Sequence, residues 1–296
     1  MASSSPPPAE PAGAGAAGRP LPICVLTDYG AADEFVGVLH LVLARLAPTA
    51  PVVDLTHEIP KWDVPAGAAT LRRLAPWLVP SVVLAVVDPG VATDRRAVAL
   101  EVATAPGAGG RLLLVGPDNG LLLSVAAEAG GIARAVELDR PNWHLPQPPG
   151  AGATFAGRDV FAPVAAHLSL GVDLSEVGSP VEPTDLVELD FPGPVVTADG
   201  LSCAVTWIDH FGNAQLNAVA ADLEELGPNP WLRLPGGAVQ VLARRRSFAE
   251  IPVGAVGLVI DSYGRAALCV DRGSAAARLG LAVGDPVLIG PGPGAG

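Results

Sequence analysis

Ser81-Val-Val-Leu-Ala-Val-Val-Asp88-Pro89-Gly90-Val91-Ala92-Thr93-Asp94-Arg95 is an unbroken apolar run that ends in a carboxylate, a Pro-Gly turn and, seven residues after the acid, an arginine. Such a run reads as a strand buried on both faces, and its polar end as a loop. Open α/β folds place ligands at the carboxyl ends of their strands. An acid there is either a solvated exit turn or part of a site. Three further runs have the same form. Leu21 to Leu26 ends in Thr27, Asp28, Tyr29 and Gly30, followed by Asp33 and the helical pattern Phe35, Val36, Leu39, Val42, Leu43, Leu46. Pro51 to Leu55, carrying Asp54, ends in Thr56, His57 and Glu58, then Trp62 and a helix-like Ala66 to Leu74. Arg111 to Val115 ends in Asp118, Asn119 and Gly120 before a helical segment from Leu121 to Glu128. Four strands delivering acids or amides to the same kind of end favour one shared polar rim over four unrelated turns.

The pattern changes near residue 190. Upstream, strands alternate with helices, the last helix running from about Asp159 to Ser169. Downstream, short strand-like runs at Ser202 to Ile208, Trp231 to Leu234, Val239 to Leu242, Ala255 to Ile260 and Ala266 to Val270 are separated by Gly, Pro and Asp. This predicts a disordered tail over 1–20, an α/β domain with a Rossmann-like layered sheet over 21–185, a linker over 186–192, a small all-β barrel or sandwich over 193–290 and a flexible tail over 291–296.

With 296 residues the chain exceeds the usual single-domain size, and 50% hydrophobic residues are enough to fill two cores. A net charge of -12 argues against a nucleic-acid surface, because the one basic run, Arg244-Arg245-Arg246, is too short to outweigh it and reads as a solvated strand end. Cys24, Cys203 and Cys269 are widely spaced in mostly apolar settings and read as buried thiols. The first nineteen residues lack the apolar core of a secretion signal, and no stretch reaches the length of a membrane span, so a cytoplasmic protein is expected. His40, His57 and His167 fall within strand-end or helical patterns and read as structural; no His, Cys or acid spacing resembles a zinc site, and no metal is expected.

Six blocks stand in one order from about Ile23 to Gly284: Thr-Asp-Tyr-Gly (27–30), Asp-Leu-Thr-His-Glu-Ile-Pro (54–60), Val-Val-Asp-Pro-Gly-Val (86–91), Gly-Pro-Asp-Asn-Gly-Leu-Leu (116–122), Gly-Arg-Asp-Val-Phe-Ala-Pro (157–163) and Ile-Asp-His-Phe-Gly-Asn (208–213). Together they resemble the S-adenosyl-L-methionine hydroxide adenosyltransferases, the hydrolytic relatives of fluorinase and chlorinase. The resemblance implies a homotrimer that binds S-adenosyl-L-methionine between the amino domain of one subunit and the carboxyl domain of its neighbour, with no further cofactor. It implies Asp28 as the acid on the ribose diol, Asp33 and Asp209 at the methionine end or ribose, and Trp62 as a wall. Phe211 and Asn213 match the adenine side, where one stacks and the other pairs with the base edge. Ser262 matches a residue near the amino-acid moiety, with Tyr263 beside it. Thr154 matches a position near the ribose and nucleophile, and Phe155 joins it in the substrate-binding set.

The implied reaction displaces methionine from the ribose C5′ by water or hydroxide, forming adenosine. Anion and cation then neutralise on the way to the transition state, which a dry pocket favours. Asp88 and Arg95 are the candidate catalytic pair: the carboxylate orients or deprotonates water and the guanidinium attracts the developing hydroxide. The halogenating relatives have a tyrosine at the position of Asp88. A carboxylate repels halide, so water is the expected nucleophile. The family's Asp-Arg-His set is incomplete here, because the histidine position is Ala156. His144, twelve residues earlier, is either a substitute or an ordinary loop histidine. Three readings stay open: the hydrolase, a halide-transferring relative, and a non-catalytic protein that binds the adenosyl ligand.

Overall fold

Ser81–Val86 is buried at every residue, as its unbroken apolar sequence requires, and it forms the third strand, β3, of a seven-stranded sheet. The structure is a computed structural model that describes residues 19–103, 110–147 and 149–292. The tail expected over 1–20 lies outside the described residues but for its last two, and that over 291–296 but for its first two. The chain divides into two units, Met1–Leu189 and Asp190–Gly296.

In the first unit, β1 (Ile23–Thr27), β2 (Val52–Thr56), β3, β4 (Ala97–Val102), β5 (Leu112–Pro117), β6 (Ile132–Glu137) and β7 (Ser179–Pro180) lie in the order β2-β1-β3-β5-β4-β6-β7. The four neighbours from β2 to β5 are parallel, while β4, β6 and β7 pair antiparallel. The parallel strands therefore end along one edge of the sheet. Helices α1 (Phe35–Leu46), α2 (Val64–Leu74), α3 (Leu123–Ala129) and α4 (Ala162–Ser169) follow β1, β2, β5 and a one-turn π-helix at Gly157–Phe161. Helix α2 starts where Asp63 accepts a hydrogen bond from the Ala66 N–H (2.9 Å) and Pro65 takes the first turn, a capping arrangement that leaves fewer orphan donors. Leu39 and Leu43 of α1 and Val164, Ala165 and Leu168 of α4 bury their faces with Val25, Val82 and Leu84 in one core. The expected layered sheet with helices is present, and its sheet is mixed: β4 and β6, which carry Glu101 and Arg134 within their apolar residues, pair antiparallel.

The second unit resolves the choice between barrel and sandwich. Its strands are β8 (Val195–Thr197), β9 (Gly200–Ile208), β10 (Ala214–Val219), β11 (Trp231–Arg233), β12 (Val239–Arg244), β13 (Val256–Ile260), β14 (Arg265–Cys269) and β15 (Pro286–Gly290). They run β10-β14-β13-β12-β11-β15-β9, and β10 also pairs with β9, so seven strands close into a barrel to which β8 adds an edge. Inward residues alternate along β9, with Leu201, Cys203 and Val205 buried, as barrel closure demands. All three cysteines are buried free thiols. Among the described residues no helix is long and apolar enough to cross a membrane.

Candidate active site

Two loops at the shared strand edge of the first unit carry its charge. After β3, the Val91 N–H donates to Asp88 O (3.3 Å) and the Thr93 N–H to Gly90 O (3.2 Å), and Ala92 takes a left-handed φ of 62°. These turns fold Arg95 back onto Asp88. Its Nε donates to Asp88 Oδ1 at 3.0 Å and its Nη2 to Oδ2 at 2.5 Å, a two-pronged pair with side chains 12% and 6% exposed. Paired, largely desolvated charges of this geometry interact far more strongly than surface pairs. The Arg95 guanidinium lies 5.4 Å over the Phe161 ring and its Nη1 donates to Arg96 O (2.9 Å), which leaves it little freedom.

After β1, Asp28 Oδ2 accepts the Trp62 N–H at 2.8 Å, with Trp62 held at φ 63° and its side chain exposed. A left-handed conformation is costly for tryptophan and is characteristic of sites where the surroundings impose it. Tyr29 feels the charge of both acids. Burial pushes its phenol well above the ordinary range, and the negative charges of Asp28 and Asp88 push it further in the same direction. The hydroxyl therefore remains a neutral donor. Its ring meets Phe155 (5.7 Å, 74°) and Phe35 (5.7 Å, 49°), and its Oη sits where a Cβ on Gly157 would come within 2.3 Å. The π-helix thus supplies Phe161 beneath Arg95, while the residue just before its cap, Phe155, packs on Tyr29. Single π-turns of this kind often mark functional positions. Asp33 and Thr154 are exposed nearby in sequence, with no side-chain hydrogen bond among the described residues.

The expected shared rim divides. Asp28, Asp88 and Asp118 follow the ends of β1, β3 and β5, while Asp54 lies within β2 opposite Val25; Asp118 is taken by Arg96 (Nε to Oδ2, 2.9 Å) and the Val187 N–H (2.9 Å), where it pins the end of the unit. Asp54 turns to His40 and His57, which hold its carboxyl below the usual range despite partial burial acting in the opposite direction. Of the four, it is the charges of Asp28 and Asp88 that act on the Tyr29 phenol. Asn119 braces the edge by donating to Val87 O (2.9 Å). The His40, Asp54 and His57 grouping was not anticipated from the spacing, because helix and strand bring the residues together from fourteen positions apart.

Ala156 caps the π-helix at φ -57° and ψ -30°, with its methyl packed on the first core. His144 lies in a loop tied to that helix by the Leu145 N–H to Asp159 O (2.8 Å). Burial lowers its pKa, while the Leu138 carbonyl and the charge of Asp139 oppose this.

In the second unit, Trp207, Asp209, Phe211, Asn213, Phe248, Ser262 and Tyr263 line a cavity of about 290 Å³. Phe211 and Tyr263 are 75% and 40% exposed, an arrangement that offers aromatic faces to a flat ligand. Trp207 holds Tyr263 edge-on at 6.0 Å. Asp209 braces its own turn, accepting from the Phe211 N–H (2.9 Å), the Asn213 N–H (2.8 Å) and Asn213 Nδ2 (2.8 Å). That orients the Asn213 amide, whose carbonyl and second N–H are the groups an adenine edge pairs with. Asp261 performs the same service for the Ser262-Tyr263 turn. Burial pushes the Cys269 thiol, at the cavity wall, up to about 12, so it is an inert lining group. The predicted residues therefore fall into two sets, one on each unit. Phe248, Trp207 and Tyr29 join them; Tyr29 stands inside a quoted motif, but nothing local in the sequence marked its role.

The sequence matches the model of the SAM hydroxide adenosyltransferase N-terminal domain over residues 23–178 and that of the C-terminal domain over residues 203–288. The chain belongs to the SAM hydroxide adenosyltransferase family. It is 47% identical over 267 residues to the (R)-S-adenosyl-L-methionine hydrolase of Salinispora arenicola, covering 90% of this chain and 97% of that one. To the fluorinase of Nocardia brasiliensis it is 33% identical over 229 residues, covering 71% of this chain and 74% of that one. The crystal structure of an uncharacterized conserved protein from Thermotoga maritima is similar with a TM-score of 0.80 at 32% identity, covering 90% of this chain and 99% of that one.

The Tyr29–Gly157 contact of this family member yields a prediction. Gly157→Ala forces its new Cβ against Tyr29 Oη and should destabilise the protein by about 1–3 kcal/mol. Adding Tyr29→Phe removes the obstructing oxygen, so the double variant should be more stable than the sum of the two single losses predicts. Thermal unfolding of all four proteins tests this, and strict additivity would show that the contact is not close.

Proposed function

We propose that the protein hydrolyses S-adenosyl-L-methionine to adenosine and L-methionine, with the (R) sulfonium epimer named for its Salinispora relative as substrate. The observation that carries this reading is the buried, two-pronged Asp88–Arg95 pair at the end of β3, with Asp28 on the adjoining strand end. Asp88 accepts a proton from water, using the lone pairs its oxygens retain beside the two guanidinium bonds. The water oxygen bonds to ribose C5′, the C5′–S bond breaks, and its electron pair neutralises the sulfonium as methionine leaves. No electrons are exchanged with a third party and the leaving group is already activated by its positive charge, so the step calls for no cofactor. Arg95 holds the developing hydroxide, Asp28 the ribose diol, and Asp33, Trp62, Thr154 and Phe155 the remaining ribose and methionine contacts. On the barrel unit, Phe211 and Asn213 take the adenine, with Asp209 orienting the amide. Ser262 and Tyr263 take the amino-acid end.

Because the two sets of residues lie on different units, we infer a homotrimer in which the amino unit of one subunit and the carboxyl unit of its neighbour share the ligand. The exposed aromatic side chains Trp62 and Phe211 support an assembly that covers them. Three buried thiols suit a reducing cytoplasm. Halide transfer is the weaker reading, because the Asp88 carboxylate, at a position where the halogenating relatives are taken to have tyrosine, would repel a halide.

The deciding experiment supplies each sulfonium epimer separately, with and without chloride, in ¹⁸O-enriched water. The expected product is adenosine labelled at the 5′ hydroxyl, formed from the (R) epimer at a rate indifferent to chloride. A 5′-halo nucleoside, or unlabelled adenosine, overturns the proposed nucleophile.

A further inference from the structure

We propose that His40, Asp54 and His57 form a binding site for a late first-row divalent cation of the Zn²⁺, Co²⁺ or Ni²⁺ class, separate from the reacting centre. His40 comes from α1, Asp54 from the edge strand β2, and His57 from the turn that follows it. His40 Nε2 lies 2.9 Å and His57 Nε2 3.1 Å from Asp54 Oδ1, and the three ligand atoms all fall within 4.8 Å of one another. Bonds of roughly 2.0–2.2 Å from a metal to imidazole nitrogen and carboxylate oxygen place adjacent donors roughly 2.8–3.6 Å apart, from octahedral to tetrahedral coordination. The two nitrogen–oxygen separations are already those of a coordination edge. Two imidazoles with one carboxylate suit the nitrogen-seeking metals rather than Mg²⁺ or Ca²⁺, which take oxygen.

His57 supplies a second, independent observation. Its side chain is 11% exposed and its buried Nε2 has no geometrically formed hydrogen bond among the described residues, although Asp54 Oδ1 lies 3.1 Å away. A buried ring nitrogen left without a partner is uncommon and calls for an explanation. The opposite nitrogen, Nδ1, is held at 2.8 Å from Thr27 Oγ1. Histidines that bind metal characteristically have such an outer partner, which fixes the ring with the other nitrogen free to ligate. His40 and Asp54, at 42% and 41% exposure, leave an entry path and room for water to complete the shell. The cluster is also joined to the loop that carries Asp28. The Gly30 N–H donates to His57 O (2.7 Å) and the Tyr29 N–H to Thr27 Oγ1 (3.2 Å), so an ion on His57 would stiffen that loop from behind.

The test is calorimetric titration of chelator-treated full-length protein with Zn²⁺, repeated with Co²⁺ to read its visible absorption. One equivalent per chain should bind, with affinity falling on acidification, since the ion must displace protons from imidazole. His40→Gln keeps a hydrogen-bond donor toward Asp54 but removes the ligand, and should weaken binding at least tenfold; Asp54→Asn should do the same. His40 sits on a partly exposed helix face, so His40→Gln carries the comparison even where Asp54→Asn folds poorly. Absence of binding overturns the proposal. So does binding undiminished in His40→Gln, which would mark an adventitious ion on another histidine. Neither result depends on what the substrate is.

Discussion

Asp88→Asn is expected to lower kcat by about 10²–10⁴-fold while KM changes by no more than a few-fold. The asymmetry follows from where the carboxylate points. Asp88 is committed on one side to Arg95 through two hydrogen bonds, and the ribose is proposed to rest on Asp28, not on Asp88. Removing the charge therefore removes the acceptor of the water proton without removing a ground-state contact. Asparagine is the right replacement because its carbonyl still accepts one Arg95 bond. Arg95→Ala is the harsher change, since deleting one partner of a buried pair costs about 3–5 kcal/mol and leaves the other charge stranded. Thermal unfolding of both variants separates that cost from lost chemistry. A KM that rises in step with the fall in kcat/KM, at unchanged kcat, would falsify the assignment and make the pair a substrate clamp.

How far the sequence revealed this arrangement depends on how local each signal is. The parallel strands β1, β3 and β5 were legible because burial on both faces demands continuous apolar residues, and each run ends in a polar break. The edge strand β2 has an exposed, less uniform sequence, yet the acid and histidine at its end gave it away. Strands β4, β6 and β10 were not foreseen: Glu101, Arg134 and Asn217 interrupt their apolar pattern, and pairing with neighbours, not propensity, fixes them as strands. For the site, Asp88 and Arg95 were readable because a seven-residue loop joins them. Tyr29 was not, since its role rests on the approach of Gly157, which is 128 positions away. The division of the polar rim was equally hidden, for nothing around Asp118 announces that Arg96 will claim it.

The position with the largest expected gain is Ala156. Its neighbours on either side point to what stands beside it: Phe155 packs on Tyr29, which feels the charge of Asp88, and Phe161 lies beneath the Arg95 guanidinium. The backbone at Ala156 is ordinary right-handed helical geometry, so its dihedrals do not disfavour a histidine. The family resemblance puts the third member of the Asp-Arg-His set at this position, and Ala156→His should raise kcat by up to ~10²-fold, the contribution of one positioned acid-base group. KM should stay nearly constant, because a histidine acting on the attacking water adds little to ground-state binding. His144→Ala is the companion variant. His144 Nε2 has no hydrogen-bond partner among the described residues and Asp88 is paired with Arg95, so removing His144 should leave the parent rate unchanged. If that removal instead abolishes turnover, the loop histidine has taken over the role and Ala156→His should add little. If the parent binds S-adenosyl-L-methionine without converting it and Ala156→His restores adenosine formation, then the chain as it stands is a binder of the adenosyl ligand, one residue short of a hydrolase.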